Sequence, residues 1–115
     1  MSSYKDLIVW QKGMDLCELV YLYTERFPQT EKFGLTSQIR RCAVSIPSNI
    51  AEGQKRGSRK ENIQFLRIAY GSGAELETQL LIALRIKYLC KKEFQALSEI
   101  LDEIMRMLNG LLKKL

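Results

Sequence analysis

Apolar residues recur every three or four positions along nearly the whole chain. Two prolines and a few glycines cut that pattern into four stretches. In the first, Val9, Leu16, Val20 and Phe27 share a stripe with Trp10, Cys17 and Tyr21 beside them, which predicts an amphipathic helix over about 7–27. Pro28 closes it, because proline disfavours helix at the residue before it and has no N–H to donate. Residues 28–34 read as a loop. The second stretch places Leu35, Ile39, Cys42, Ala43, Ile46 and Ile50 on one face. Pro47 falls inside it, and an interior proline is carried by a kink. A bent helix over about 35–52 is expected, with Gly53 as its C-terminal glycine and 54–57 as the next connection.

Ser58-Arg59-Lys60-Glu61 has the spacing of a capping box and starts the third stretch, about 59–88. Leu66, Ala69, Tyr70, Gly73, Leu76, Leu80, Ala83 and Leu84 hold the helical period there. Gly71 and Gly73 are poor helix formers, so the small residues Ala69, Gly73 and Ala74 are expected to admit another backbone. Residues 88–92 form the last turn. Phe94, Leu97, Leu101, Ile104, Leu108, Leu111 and Leu115 then alternate by three and four over about 91–113, a seam suited to bundle packing. No stretch alternates with period two, as a strand would. The expected fold is therefore all-α: one domain over residues 1–115, an antiparallel up-down four-helix bundle with its second helix kinked at Pro47.

The third and fourth stretches carry more apolar residues than one core stripe uses. Ile68, Leu81, Ile82, Ile86 and Leu89 lie off the stripe in one, and Ile100, Met107 and Leu112 in the other. A helix apolar on two faces is usually buried on two, so a homo-oligomer is expected.

Composition narrows the chemistry. The 115 residues include no histidine, which excludes Ser-His and Cys-His nucleophilic sites, histidine bases and histidine metal ligands. Cys17, Cys42 and Cys90 are widely spaced among apolar neighbours and read as small buried hydrophobes in a reducing cytoplasm. Residues 1–6 lack the apolar core of a signal peptide, and the best apolar run, 80–84, stops at Arg85. A cytoplasmic protein with no membrane role is expected. Glu52, Glu61, Glu75 and Glu77 are the candidate acid–base groups, but Glu75 and Glu77 point to different helix faces. No catalytic residue, metal or cofactor is expected.

The net charge of +5 is unevenly placed. Residues 54–67 hold Lys55, Arg56, Arg59, Lys60 and Arg67 against Glu61 alone, and Arg40 and Arg41 lie just upstream. Such clustering suits neutralisation of a phosphate backbone, with little sequence readout. Arg40, Arg41, Lys55, Arg56, Arg59 and Lys60 are the candidate nucleic-acid-binding residues. Gly53 and Gly57 bracket the tip and would let it adapt to RNA or DNA. A solvated loop that keeps the protein soluble, or one that docks an acidic protein partner without nucleic acid, gives the same pattern.

Longer strings carry a family resemblance. Asp6-Leu7-Ile8-Val9-Trp10-Gln11, Phe33-Gly34-Leu35-Thr36-Ser37-Gln38-Ile39-Arg40-Arg41 and Ser45-Ile46-Pro47-Ser48-Asn49-Ile50-Ala51-Glu52-Gly53 come first. Phe65-Leu66-x-Ile68-Ala69-x-Gly71-Ser72, Ala74-Glu75-Leu76-Glu77-x-Gln79-Leu80 and Met107-Leu108-Asn109-Gly110-Leu111 follow in order. Together they resemble the four-helix-bundle proteins encoded in intervening sequences of bacterial large-subunit ribosomal RNA genes. That family is similar to the accessory variability proteins of diversity-generating retroelements. The resemblance implies a bundle that assembles as a homopentamer, binds nucleic acid without catalysis and acts with a reverse transcriptase. Cys90 stands where a serine-like cap is usual, which implies a weaker start to the last helix. Within the matched strings, Trp10, Phe33, Leu35, Ile39, Ile46, Ile50, Phe65 and Leu66 read as core. Pro47 and Gly53 shape the backbone, and Asn49 supplies a structural hydrogen bond near the proline.

Overall fold

The structure is a computed structural model that describes residues 3–115. Four helices make up nearly all of it: α1 (Ile8–Thr24), α2 (Leu35–Arg56), α3 (Arg59–Arg85) and α4 (Lys91–Lys114). Short 3-10 turns at Tyr4–Asp6 and Gln29–Glu31 precede α1 and α2. No strand occurs among the described residues. Each helix packs against the next, and α4 returns to α1, so that neighbours in the chain are neighbours in the bundle. This is the expected four-helix bundle, 42 × 24 × 21 Å.

The predicted stripes form the core. Val9, Leu16, Val20, Ile39, Ala43, Ile46, Ile50, Leu66, Ala69, Leu76, Leu80, Ala83, Leu97, Leu101, Ile104 and Leu108 are all buried. Phe33 is a correction: read as core, it is 90% exposed on the loop before α2. Tyr70, placed on the α3 stripe, is exposed, whereas Leu89, placed off it, is buried beyond the helix end. Leu89 gets there because the chain turns sharply after α3. Tyr88 N and Leu89 N both donate to Ala83 O, at 2.8 and 3.2 Å, and Lys87 takes φ 67°.

The helix ends differ from expectation in ways that matter for the site. α1 stops at Thr24, short of Pro28, where the Thr24 hydroxyl donates to Val20 O at 2.7 Å. Phe27 is still buried, beside the Tyr88 ring at 5.3 Å, and Tyr88 Oη donates to Glu31 Oε2 at 3.0 Å. α2 is helical on both sides of Pro47 without a break. Gly13 of α1 makes room for the proline ring: a Cβ there would stand 3.3 Å from Pro47 Cβ. Asn49 has the expected structural role, donating to Ser45 O at 2.7 Å and Ser45 Oγ at 2.9 Å.

α2 does not end at Gly53. It runs on to Arg56 and ends at Gly57, which takes the left-handed φ of +81° that glycine tolerates best. Gly53 is instead a packing residue. A Cβ there would lie 2.7 Å from Asn62 Oδ1 and 3.0 Å from Phe65 Cβ on α3. The expected 54–57 loop therefore shrinks to Gly57 and Ser58. Ser58 caps α3 as predicted: its Oγ accepts from Glu61 N at 3.1 Å and donates to Glu61 Oε1 at 3.2 Å.

Two further readings change. Gly73 faces the Met105 side chain of α4 and not another backbone, while Ala74 is exposed. The cysteines are not uniformly buried: Cys42 is, Cys17 is half-buried, and Cys90 is exposed as the N-cap of α4. Glu93 supports that helix start by accepting from Cys90 N at 3.1 Å.

Candidate nucleic-acid interface

The two-residue connection sets the geometry of the basic cluster. Lys55 and Arg56 occupy the last turn of α2, and Arg59 and Lys60 the first turn of α3. All four side chains are exposed at one end of the bundle. They are held by two helix termini and not by a mobile tip.

Their surroundings separate them. Arg56 is already matched: its guanidinium meets Glu52 at 3.2 Å and Glu61 at 3.6 Å and lies 5.1 Å from the Phe65 ring centroid. Lys55, Arg59 and Lys60 have no carboxylate within 4.0 Å among the described residues. Lys55 sits at a helix C-terminus, where a cation is favoured by the helix dipole. Arg59 and Lys60 sit at a helix N-terminus, where a cation is opposed by roughly 0.3–1 kcal/mol. Helix stability alone therefore does not account for them, while a bound anion would be drawn by both the dipole and the side chains.

Lys60, Gln64 and Arg67 follow at helical spacing along the exposed side of α3, with Ile63 and Ile68 beside them. Arg67 thus extends the basic surface away from the turn. The sequence shows it in the charged window, but only the helix places it in line with Lys60.

Arg40 and Arg41 lie apart from this cluster. About fifteen helical residues, roughly 22 Å at 1.5 Å per residue, separate them from Lys55 along α2. Arg40 is tied to the end of α1: Nε donates to Thr24 Oγ1 at 2.9 Å and Nη2 to Tyr21 O at 3.3 Å. The Tyr21 ring centroid lies 4.5 Å from its guanidinium carbon and Glu25 lies 3.8 Å from Nη2. Arg41 instead lines a groove between α2 and α3, with Gln38, Ser45, Ser72, Glu75 and Gln79.

Other chemistry is sparse. Among the described residues, no group of three or more His, Cys, Asp or Glu could hold a metal ion. No helix among the described residues is long and apolar enough to cross a membrane. Burial pushes the Cys17 thiol up to about 11, and burial reinforced by the Glu75 carboxylate does the same at Cys42.

Fold and site together define a small all-α bundle protein with a cation-rich helix junction. The chain belongs to the family of 23S rRNA-intervening sequence proteins, which it matches over residues 5–110. It is similar to a crystal structure of a protein with unknown function from the S23 ribosomal protein family of Bacteroides thetaiotaomicron VPI-5482. The two share 27% sequence identity and a TM-score of 0.84, over 92% of this chain and 96% of that one. No curated protein matches the sequence.

Proposed function

We propose that this protein binds the backbone of RNA or DNA without catalysis, as a cytoplasmic homo-oligomer. One observation carries the reading: Lys55, Arg59 and Lys60 lie at a single helix junction and, among the described residues, have no carboxylate within 4.0 Å, Glu52 and Glu61 being taken by Arg56. Two of the three stand where the helix dipole already attracts an anion. Membership of a family named for an rRNA intervening sequence agrees with a nucleic-acid setting. Arg67 prolongs the contact, Arg56 holds the turn, and Arg40 and Arg41 contribute only to a ligand that extends along α2.

Assembly rests on the apolar surface. Ile68, Leu81 and Ile82 of α3, and Ile86 just past its end, are each at least 44% exposed, as the surplus positions in the sequence suggest. A ring of five would repeat the basic junction once per subunit and add weak contacts through multivalency. A reverse transcriptase is the partner that the resemblance to accessory variability proteins implies. One feature favours an acidic protein partner instead: Ile63 and Ile68 line the same surface depression as Lys60 and Arg67, as a protein interface would use them.

Anisotropy titrations with fluorescent RNA and DNA across a salt series test the reading. Changing Lys55, Arg59 and Lys60 together to glutamine should weaken binding and flatten the salt slope by about 0.9 per phosphate released on duplex DNA. An unchanged affinity and slope would remove this junction as the site. Light scattering that finds only a 13.3 kDa species at micromolar concentration would refute the oligomer.

A further inference from the structure

The groove between α2 and α3, about 290 Å³ in volume, is polar where a bundle seam is usually apolar. Arg41 lines it from α2 and Glu75 from α3, yet the two make no ion pair within 4.0 Å. Gln79, also in its wall, is only 7% exposed, and its Oε1 has no hydrogen-bond partner. A buried acceptor left unpaired is costly, so its retention calls for a donor. The hydroxyls add an opposite demand. Ser45 Oγ and Ser72 Oγ lie 2.8 Å apart, and Asn49 Nδ2 donates to Ser45 Oγ. Two hydroxyls sharing one bond between them leave one O–H proton free, whichever of them donates. The groove therefore offers a carboxylate and an amide oxygen that accept, and a guanidinium and a hydroxyl that donate.

We propose that this groove binds a small zwitterion of amino-acid size, with its ammonium group on Glu75 and Gln79 Oε1 and its carboxylate on Arg41 and the serine pair. The volume lies at the lower limit of small-molecule sites, which suits a ligand of this size. Arg41 and Glu75 stand at the exposed rim of the groove, Ser45 and Ser72 are half-buried, and Gln79 and Cys42 form its buried inner wall, where burial and the Glu75 carboxylate raise the Cys42 thiol. The site is separate from the basic junction and does not depend on the nucleic-acid reading.

The test is an NMR titration of the intact chain with glycine, L-alanine and L-serine, with acetate and ethylammonium as single-charge controls. The expected result is saturable shifts at Ser45, Ser72 and the Gln79 side-chain amide for the zwitterions, with each control at least about tenfold weaker. Arg41→Gln and Glu75→Gln should each weaken glycine binding by about tenfold or more while leaving the thermal midpoint in place. The triple glutamine variant at Lys55, Arg59 and Lys60 should bind the probes as the parent does. Three results would overturn the proposal: no saturable shift from any zwitterion, controls that bind equally well, or groove variants that change the oligomeric state and leave probe shifts unaltered.

Discussion

Gly53→Ala asks whether α2 and α3 are as close as the structure has them. Helix propensity alone favours alanine at an interior position by about 1 kcal/mol. Packing opposes it. The new methyl would lie 3.0 Å from Phe65 Cβ and 3.4 Å from Asn62 Cα, atoms that move only with the α3 backbone. Asn62 Oδ1, at 2.7 Å, could rotate away, but it is buried and already without a partner. Overpacking of this kind costs about 1–3 kcal/mol, so a net loss of about 1 kcal/mol is expected. Gly71→Ala is the control, because nothing lies within 4 Å of its added Cβ and only the propensity gain remains. Subtracting one variant from the other cancels propensity and leaves the steric cost. Urea unfolding of both should therefore separate them by about 1–3 kcal/mol, with Gly71→Ala the more stable. For a chain of this size each kcal/mol moves the thermal midpoint by about 3–5 °C. Equal stabilities would refute the close approach at Gly53. A Gly71→Ala chain less stable than the parent would refute the open face at Gly71.

Ser58→Ala removes the acceptor of the Glu61 N–H and should cost about 1 kcal/mol, read by urea unfolding. Ile46→Ala removes a fully buried side chain and should cost about 2–5 kcal/mol in the same assay, a smaller loss showing that the core collapses around it. Iodoacetamide should label Cys90 before Cys17 and Cys42, and mass spectrometry of a partial digest that finds the reverse order would contradict the exposures. Because the folded chain raises Cys17 and Cys42 from 9.0 to about 11, their contribution to stability is complete below pH 9 and is lost as pH rises toward 11. A Cys17→Ala, Cys42→Ala chain should lose less stability than the parent over that interval, and an equal loss would remove the thiols as the cause.

What the sequence revealed depended on how local the cause was. The α4 seam from Leu97 to Leu108 is visible because the three-and-four spacing is itself the geometry, and every one of those seam positions is buried. The Ser58–Glu61 cap is visible because both partners lie within one turn. The end of α2 was not visible. Gly53 resembles a terminator in the sequence, but its role comes from Phe65 and Asn62 across the bundle, while Gly57 ends the helix four residues later. Arg40 shows the same limit. Its charge is plain in the sequence, yet its partners at Tyr21 and Thr24 are 19 and 16 residues away, and only folding brings them to it. Phe33 has the apolar side chain of a core residue, yet it is 90% exposed on the connection whose other phenylalanine, Phe27, is the one that reaches the core.

The longer α2 changes what the basic cluster can do. On a glycine-bracketed loop, each cation would lose conformational freedom on meeting a phosphate, and that loss would be set against the contact. On two helix ends joined by Gly57 and Ser58, the backbone beneath Lys55, Arg59 and Lys60 is already ordered, so only side-chain freedom remains to be lost. The same rigidity fixes the spacing of the charges. A loop could follow phosphates of any geometry, whereas a fixed array favours a backbone whose phosphate spacing it happens to match. Helical placement thus exchanges adaptability for preorganisation. It makes the contrast between single-stranded and duplex ligands the informative comparison, because their phosphates differ in spacing and stiffness more than they differ in charge.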